Sequence, residues 1–368
     1  MNRILFVIPT LGQGGAEKVL VNLVNHINKE LFDVTVLTLF DVGVNKSFLN
    51  KDVHYKSVMK KQFIGNTWFL KLFSPAFLYK KIIKDKYDII VSYLEGPTAR
   101  IVSGCDDKDI KLVSWVHVEQ HDMKTLSRSF RSQKEARWSY NKFDQTVCVS
   151  NFVKDDFCRI LGFTKPCMVL YNTVETEKIL SDAEENEERI GHNNSFKMIA
   201  VGTLKASKGY ERLLHIVKLL KSEYSIHLYI LGIGPLKDKL QNYINTNDLE
   251  EQVTLLGYDK NPYKYIKKCN LFVCASYAEG FSTAATEALI LGIPVCTVDV
   301  SGMKEMLGDN NEFGIVTEND TDALYHGIKR LLNDHKLLLF YREKAKERGK
   351  TFSTQKTVYA VEQMLRNL

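Results

Sequence analysis

Tyr277-Ala-Glu-Gly-Phe-Ser-Thr-Ala-Ala-Thr-Glu-Ala-Leu-Ile-Leu-Gly-Ile-Pro-Val295 decides the fold. It follows an apolar run, residues 271–275, that reads as a buried strand. Ser282 is placed to cap a helix, because its hydroxyl can accept a free backbone N–H of the first turn. Ala284, Ala285, Glu287, Ala288 and Leu289 favour helix. Gly292 and Pro294 end it, and a strand restarts at Val295. The pattern strand, turn, helix, strand puts a helix N-terminus just past a strand's carboxyl end. Unpaired N–H groups and the positive end of the helix dipole meet there and suit an anion. Glu279 and Glu287 flank the same helix start. Donors for phosphate beside carboxylates for hydroxyls suit a sugar nucleotide.

The same alternation extends through the chain. Residues 4–9, 34–39, 88–92, 112–116, 145–149 and 168–171 read as apolar strands, with helical segments between several of them. The polar, acidic stretch 182–196 then interrupts the pattern. Beyond it, 197–201, 226–231 and 253–256 are strands, and 210–220, 236–244 and 262–268 are helices. Strands alternating with helices imply parallel sheets covered on both faces. The expected fold class is α/β, with two Rossmann-like doubly wound domains facing a central cleft. The expected boundaries are 1–180, 181–350, and a C-terminal helix, 351–368, crossing back to the first domain.

A length of 368 residues fits two cores. Seven cysteines without a Cys-x-x-Cys pair read as buried thiols in a reducing compartment. Residues 1–11 read as a first strand rather than a leader peptide. The charge is uneven. Residues 1–175 carry 25 Lys+Arg against 18 Asp+Glu, and residues 176–368 carry 25 against 26. Within the basic half, residues 59–86 interleave Lys60, Lys61, Lys71, Lys80, Lys81, Lys84 and Lys86 with Phe63, Trp68, Phe69, Leu72, Phe73 and Phe77. Such a segment suits an amphipathic helix on an anionic membrane surface. It equally suits a helix packing aromatics on its own sheet with lysines in water.

Four loops favour anions. They are Gly12-Gln-Gly14-Gly15, Gly202-Thr-Leu-Lys205-Ala-Ser-Lys208-Gly209, Gly232-Ile-Gly234-Pro235, and the stretch quoted first. The third reads as structural. A dinucleotide dehydrogenase fits poorly, because no spaced third glycine and ribose-binding acid follow Gly15. Asp107-Lys-Asp109 spells an Asp-x-Asp but sits in a charged turn and reads as solvated.

These loops resemble those of retaining glycosyltransferases of the GT-B fold, group 1 (family 4), across the whole chain. Gly14-Gly15-Ala16-Glu17 is similar to the family's first loop and Gly202–Gly209 to its phosphate loop. Glu279-Gly280-Phe281 with Glu287 is similar to its most diagnostic motif. The resemblance implies that Glu287 binds the nucleotide ribose and that Glu279 lies against the donor sugar. The N–H groups of Phe281, Ser282 and Thr283 would hold sugar hydroxyls and the distal phosphate. Lys208 would neutralise the leaving diphosphate, Tyr258 would flank the base, Gly15 would contact the diphosphate, and His117 would stand near the sugar's primary hydroxyl. The family's Arg after the first phosphate-loop glycine is Thr203 here, which leaves Lys205 as the substitute cation.

The implied reaction is transfer from a nucleotide sugar, with uridine as the expected base, to a lipid-linked saccharide in bacterial surface-polysaccharide assembly. It would proceed with retention, without metal or cofactor, and without nucleic acid. The expected place is the cytoplasm, on the inner face of the membrane. A sugar-nucleotide epimerase and an inactive glycan- or membrane-binding subunit are the alternatives.

Overall fold

The computed structural model describes residues 1–12, 14–61, 65–162, 165, 167–191, 194–300 and 302–368. The chain divides into two compact units, one of Met1–Thr173 with Thr354–Leu368 and one of Val174–Ser353. The division falls ahead of the polar stretch at 182–196. A helix, Thr176–Asp182, already belongs to the second unit.

Among the described residues the first unit has seven strands, β1 (Asn2–Ile8), β2 (Phe32–Phe40), β3 (His54–Met59), β4 (Ile89–Tyr93), β5 (Lys111–Val116), β6 (Gln145–Cys148) and β7 (Cys167–Val169). Their order is β3-β2-β1-β4-β5-β6-β7, all parallel. The second unit has six, β8 (Phe196–Val201), β9 (Ile226–Leu231), β10 (Val253–Gly257), β11 (Leu271–Cys274), β12 (Val295–Val298) and β13 (Ile315–Thr317). Their order is β10-β9-β8-β11-β12-β13, again all parallel. Helices cover both faces, so central strands are apolar without alternation: Ile4 to Ile8 are all buried. Strand order reverses between β1 and β4 and between β8 and β11. At such switch points the loops leaving the strands part and open a crevice.

The two strands without a sequence signal, β3 and β13, are sheet edges. β3 alternates half-buried and exposed residues, and β13 has only three residues. Neither needs an apolar run. The helix Thr354–Arg366 packs with the first unit through Val358, Val361, Met364 and Leu365, and Glu362 accepts the Asn28 N–H at 2.7 Å.

The basic aromatic segment is two short helices, Asn66–Lys71 and Pro75–Ile82, not one. Pro75 occupies the first turn of the second, where its missing N–H costs nothing, and Ser74 Oγ accepts the Phe77 N–H at 3.2 Å. Leu70, Pro75 and Leu78 are buried, whereas Trp68, Phe69, Leu72 and Phe77 are exposed. Phe73, in the break, meets Phe69 edge-on and stacks on Phe77, at 5.4 and 5.1 Å between centroids. Phe63 lies outside the described residues.

Two arginines hold this segment by its carbonyls. Arg100, 1% exposed, donates to Leu70 O at 2.9 Å and Phe73 O at 2.7 Å, and pairs with Glu135 at 3.0 Å. Arg131 donates to Lys71 O and Leu72 O at 2.6 and 2.8 Å. Removing one member of a buried pair strands the other, at a cost of roughly 3 kcal/mol or more. Arg100→Met is therefore expected to lower the urea midpoint by that equivalent. A loss below about 1 kcal/mol would show that the two carbonyls and Glu135 do not depend on it.

Candidate active site

The second unit's switch point is lined by the loop after β8 and the loop after β11. A short turn, Ala206–Lys208, and then the helix Tyr210–Leu220 follow the first loop. Gly209 joins them at φ +65°, and a Cβ there would lie 2.0 Å from the Ala275 carbonyl oxygen. Only glycine lets the two loops come this close. The Tyr277 N–H then donates to Ser207 O at 2.8 Å. Gly232 serves a similar end, since a Cβ there would strike the Gly202 carbonyl at 2.0 Å. The loop after β9 thus backs the phosphate-type loop.

This contact brings Lys208 onto Glu279, and the ammonium donates to Glu279 Oε1. Ser276 Oγ donates to the same oxygen at 2.6 Å. Burial pulls the lysine's pKa down, but the adjacent carboxylate outweighs it and the net shift is upward. Lys208 is therefore a cation kept charged away from bulk water. Tyr210 donates to Gly202 O at 2.9 Å and fixes the start of the loop. Lys205 is exposed and has no ion-pair partner among the described residues, and Thr203 lies half-buried beside it.

The helix Thr283–Ile290 opens just beyond. Ser282 caps it, accepting the Ala285 N–H at 3.3 Å. Glu287, one turn in and 3% exposed, faces the Tyr263 hydroxyl at 3.5 Å. Phe281 turns its ring inward onto Phe352, centroids 5.7 Å apart, so its outward contribution is backbone. Gly280 precedes it, and a Cβ on Gly302 would meet its carbonyl at 2.7 Å. Tyr258, after β10, is 48% exposed. The structure thus gathers Gly202, Lys208, Glu279, Gly280, Phe281, Ser282, Thr283 and Glu287 around the loops leaving β8 and β11. Lys205 and Tyr258 lie on exposed loops of the same unit. Ser276, Tyr210 and Tyr263 carry no sequence signal. Each is defined by a contact between segments distant in the chain or by a loop geometry.

In the first unit, Gly14 caps the helix Gly15–His26. A Cβ on Gly14 would fall 2.1 Å from the Glu17 carboxylate. Gln13 of the same loop lies outside the described residues. His117 follows β5, and its backbone N–H donates to Glu95 Oε2 at 3.0 Å. Burial pushes the His117 imidazole down to about 3, so it is neutral, and pushes the Glu95 carboxyl up to about 7. Asp107 and Asp109 share an exposed turn, in which Asp107 accepts the Asp109 N–H at 3.0 Å. No described helix is long and apolar enough to cross a membrane.

The sequence matches the family model described as glycosyl transferases group 1 over residues 182–350 and that described as glycosyltransferase family 4 over 13–178. It is 31% identical, over 97% of both chains, to the Campylobacter jejuni N-acetylgalactosamine-N,N'-diacetylbacillosaminyl-diphospho-undecaprenol 4-alpha-N-acetylgalactosaminyltransferase. It is 26% identical, over 96% of this chain and 95% of the other, to a second alpha-1,4-N-acetyl-D-galactosaminyltransferase of that organism, named for a diNAcBac-PP-undecaprenol substrate. Among solved structures, Anabaena HepE in complex with UDP and glucose matches with a TM-score of 0.81 at 19% identity, over 100% of both chains.

The Glu95 carboxyl has a pH consequence. Its value rises from 4.5 when unfolded to about 7 when folded. Between these values the folded state holds a proton that the unfolded state has lost, so this residue's contribution to stability falls as pH rises. Glu95→Gln keeps an acceptor for the His117 N–H and removes the titration. The melting temperature of the variant minus that of the parent should grow from pH 4.5 to pH 8. A difference independent of pH would show that the carboxyl is not desolvated.

Proposed function

Because the chain belongs to the group 1 glycosyltransferases, we propose that it moves a sugar, with retention, from a UDP-sugar to a lipid-linked saccharide in surface-polysaccharide assembly. The observation that carries this reading is the half-buried Lys208–Glu279 pair at a switch point, beside a helix N-terminus that also holds Glu287. A diphosphate arriving there meets a charged lysine and the backbone N–H groups of the helix start, and the lysine's carboxylate partner can turn to the sugar. Glu287 binds the ribose. The N–H groups of Phe281, Ser282 and Thr283 hold the distal phosphate and sugar hydroxyls, and Tyr258 flanks uracil. Lys205 supplies the outer cation in place of the arginine absent at Thr203. Gly14, Gly15 and His117 keep the donor-directed roles implied by the family likeness. Undecaprenol-linked substrates in the names of two relatives support the acceptor class, and HepE's UDP complex supports the nucleotide.

Retention fits a front-face course in which the leaving diphosphate takes the acceptor's proton. The chain then contributes position and charge stabilisation, with the half-buried Lys208 opposing the negative charge that grows on the leaving oxygen. This course draws on no metal ion.

The first unit supplies the membrane contact in this reading. Trp68, Phe69, Leu72 and Phe77 are exposed on a segment flanked by exposed Lys60, Lys61, Lys80, Lys81, Lys84 and Lys86. Aromatic side chains enter the headgroup boundary, and each lysine near an anionic surface adds about 1 kcal/mol. In this reading the enzyme works at the cytoplasmic face of the membrane.

Two tests follow from these assignments. Lys208→Ala and Glu287→Ala should each lower nucleotide-sugar turnover at least a hundredfold and weaken UDP binding in calorimetry. Turnover equal to the parent's would end the assignment. Replacing Lys80, Lys81 and Lys84 together by Glu should sharply reduce sedimentation with phosphatidylglycerol vesicles and leave binding to neutral vesicles little changed. Equal binding to anionic vesicles would remove the membrane contact.

A further inference from the structure

Arg212 is a cation in an unfavourable place. It lies in the first turn of the helix Tyr210–Leu220, where the positive end of the helix dipole disfavours a cation. It is also only 5% exposed. Its neighbour in the same turn, Glu211, pairs with Lys239 at the surface instead, at 2.8 Å. Among the described residues no carboxylate pairs with Arg212. Its Nη1 donates to Asn319 Oδ1 at 3.0 Å, and its guanidinium carbon stands 3.9 Å from the centre of the Tyr277 ring. Its Nε is buried and has no hydrogen-bond partner. A neutral amide and a ring leave the charge uncancelled. Buried charges are ordinarily paired and buried donors ordinarily satisfied, so this one needs a cause.

Its position supplies one. A Cβ on Gly209 would lie 3.4 Å from Arg212 Nε and 2.0 Å from the Ala275 carbonyl oxygen. The guanidinium therefore sits directly behind the place where the loops after β8 and β11 meet, one residue from Lys208. Asn319, between β13 and the helix Thr321–Asn333, holds it from a third loop. Of the charges at this switch point, Lys208 is matched by Glu279, and Glu287 adds a second carboxylate. Without Arg212 these side chains would sum to a negative charge and oppose a diphosphate. Lys205 lies on an exposed loop, where water and salt weaken its field. A charge behind the loop is screened less. At about 10 Å and an effective dielectric near 20, one such charge alters the affinity for each phosphate charge about tenfold.

We propose that Arg212 is a third cation of the donor site, drawing the nucleotide's diphosphate to the Lys208–Gly209 loop through its field rather than by contact. It joins Lys205 in replacing the arginine absent at Thr203. The cost of an unpaired buried cation at the positive end of a helix is borne by the empty protein and offset when the diphosphate arrives. Arg212 touches Tyr277 and Asn319, not the donor, and is a positioning residue. This rests on the nucleotide-sugar reading above.

The test separates charge from shape in the full chain. Arg212→Gln keeps a planar head over Tyr277 and a donor for Asn319 but removes the charge. Arg212→Lys keeps the charge and gives up the plane. UDP, ADP and GDP are titrated by calorimetry, and uridine, adenosine and guanosine by saturation-transfer NMR. For the diphosphate that the parent binds, Arg212→Gln should weaken binding about tenfold, and Arg212→Lys should stay within about twofold. The matching nucleoside, which carries no phosphate, should bind both variants as it binds the parent. Arg212→Met gives a second reading of charge removal should the glutamine variant fail to fold. Diphosphate binding unchanged by charge removal overturns the proposal. So does an equal loss for the nucleoside, which marks a merely structural support of the loops. An equal loss in Arg212→Lys does the same, because it assigns the effect to the planar stack. If the parent binds none of the three diphosphates, the nucleotide-sugar reading itself falls, and this proposal falls with it.

Discussion

A lysine ammonium held away from bulk water keeps its proton only if a carboxylate stays beside it, and Lys208 and Glu279 meet that condition. Their meeting depends on backbone. The loops after β8 and β11 approach until a single methyl group at residue 209 would collide with the Ala275 carbonyl, and the Tyr277–Ser207 hydrogen bond closes the contact. Ser276 then orients the carboxylate by donating to the oxygen that faces the ammonium. Burying one of these charges alone would cost several kcal/mol, whereas the pair with its added donor is tolerated. The site is therefore loaded with charge before any ligand arrives, and the adjacent helix start adds dipole to that charge.

The two units divide the chemistry. The second offers a cation, the backbone N–H groups of a helix start and two carboxylates, Glu279 and Glu287, at its switch point. The first offers aromatic rings and the Glu95 carboxyl near its own. Both exploit the same topological device, a reversal of strand order that leaves room at the carboxyl ends. What fills that room differs because the loop sequences differ.

Much of this was legible in the sequence. Central parallel strands must be apolar on both faces, so runs such as 226–231 and 295–298 mark themselves, and both match the observed strands. Edge strands are under no such demand, and β3 and β13 left no pattern. The helix start at Ser282 was readable because capping is a local matter of residue type. The Lys208–Glu279 contact was not, because it depends on how closely two loops 71 residues apart approach. In residues 59–86 the composition marks an amphipathic segment, and Pro75, suited to the first turn of a helix, divides it into two helices.

The helix Thr354–Arg366 joins the first unit although the whole second unit separates it from residue 173. During synthesis the ribosome delivers the first 173 residues early and this last piece only after some 180 more. The nascent first unit must wait with the apolar surface for Val358, Val361, Met364 and Leu365 uncovered. The second unit is continuous and can close as soon as it emerges. The unit whose synthesis starts earlier is thus the later of the two to be completed, and translation interrupted before residue 354 leaves a chain whose second unit is finished and whose first is not.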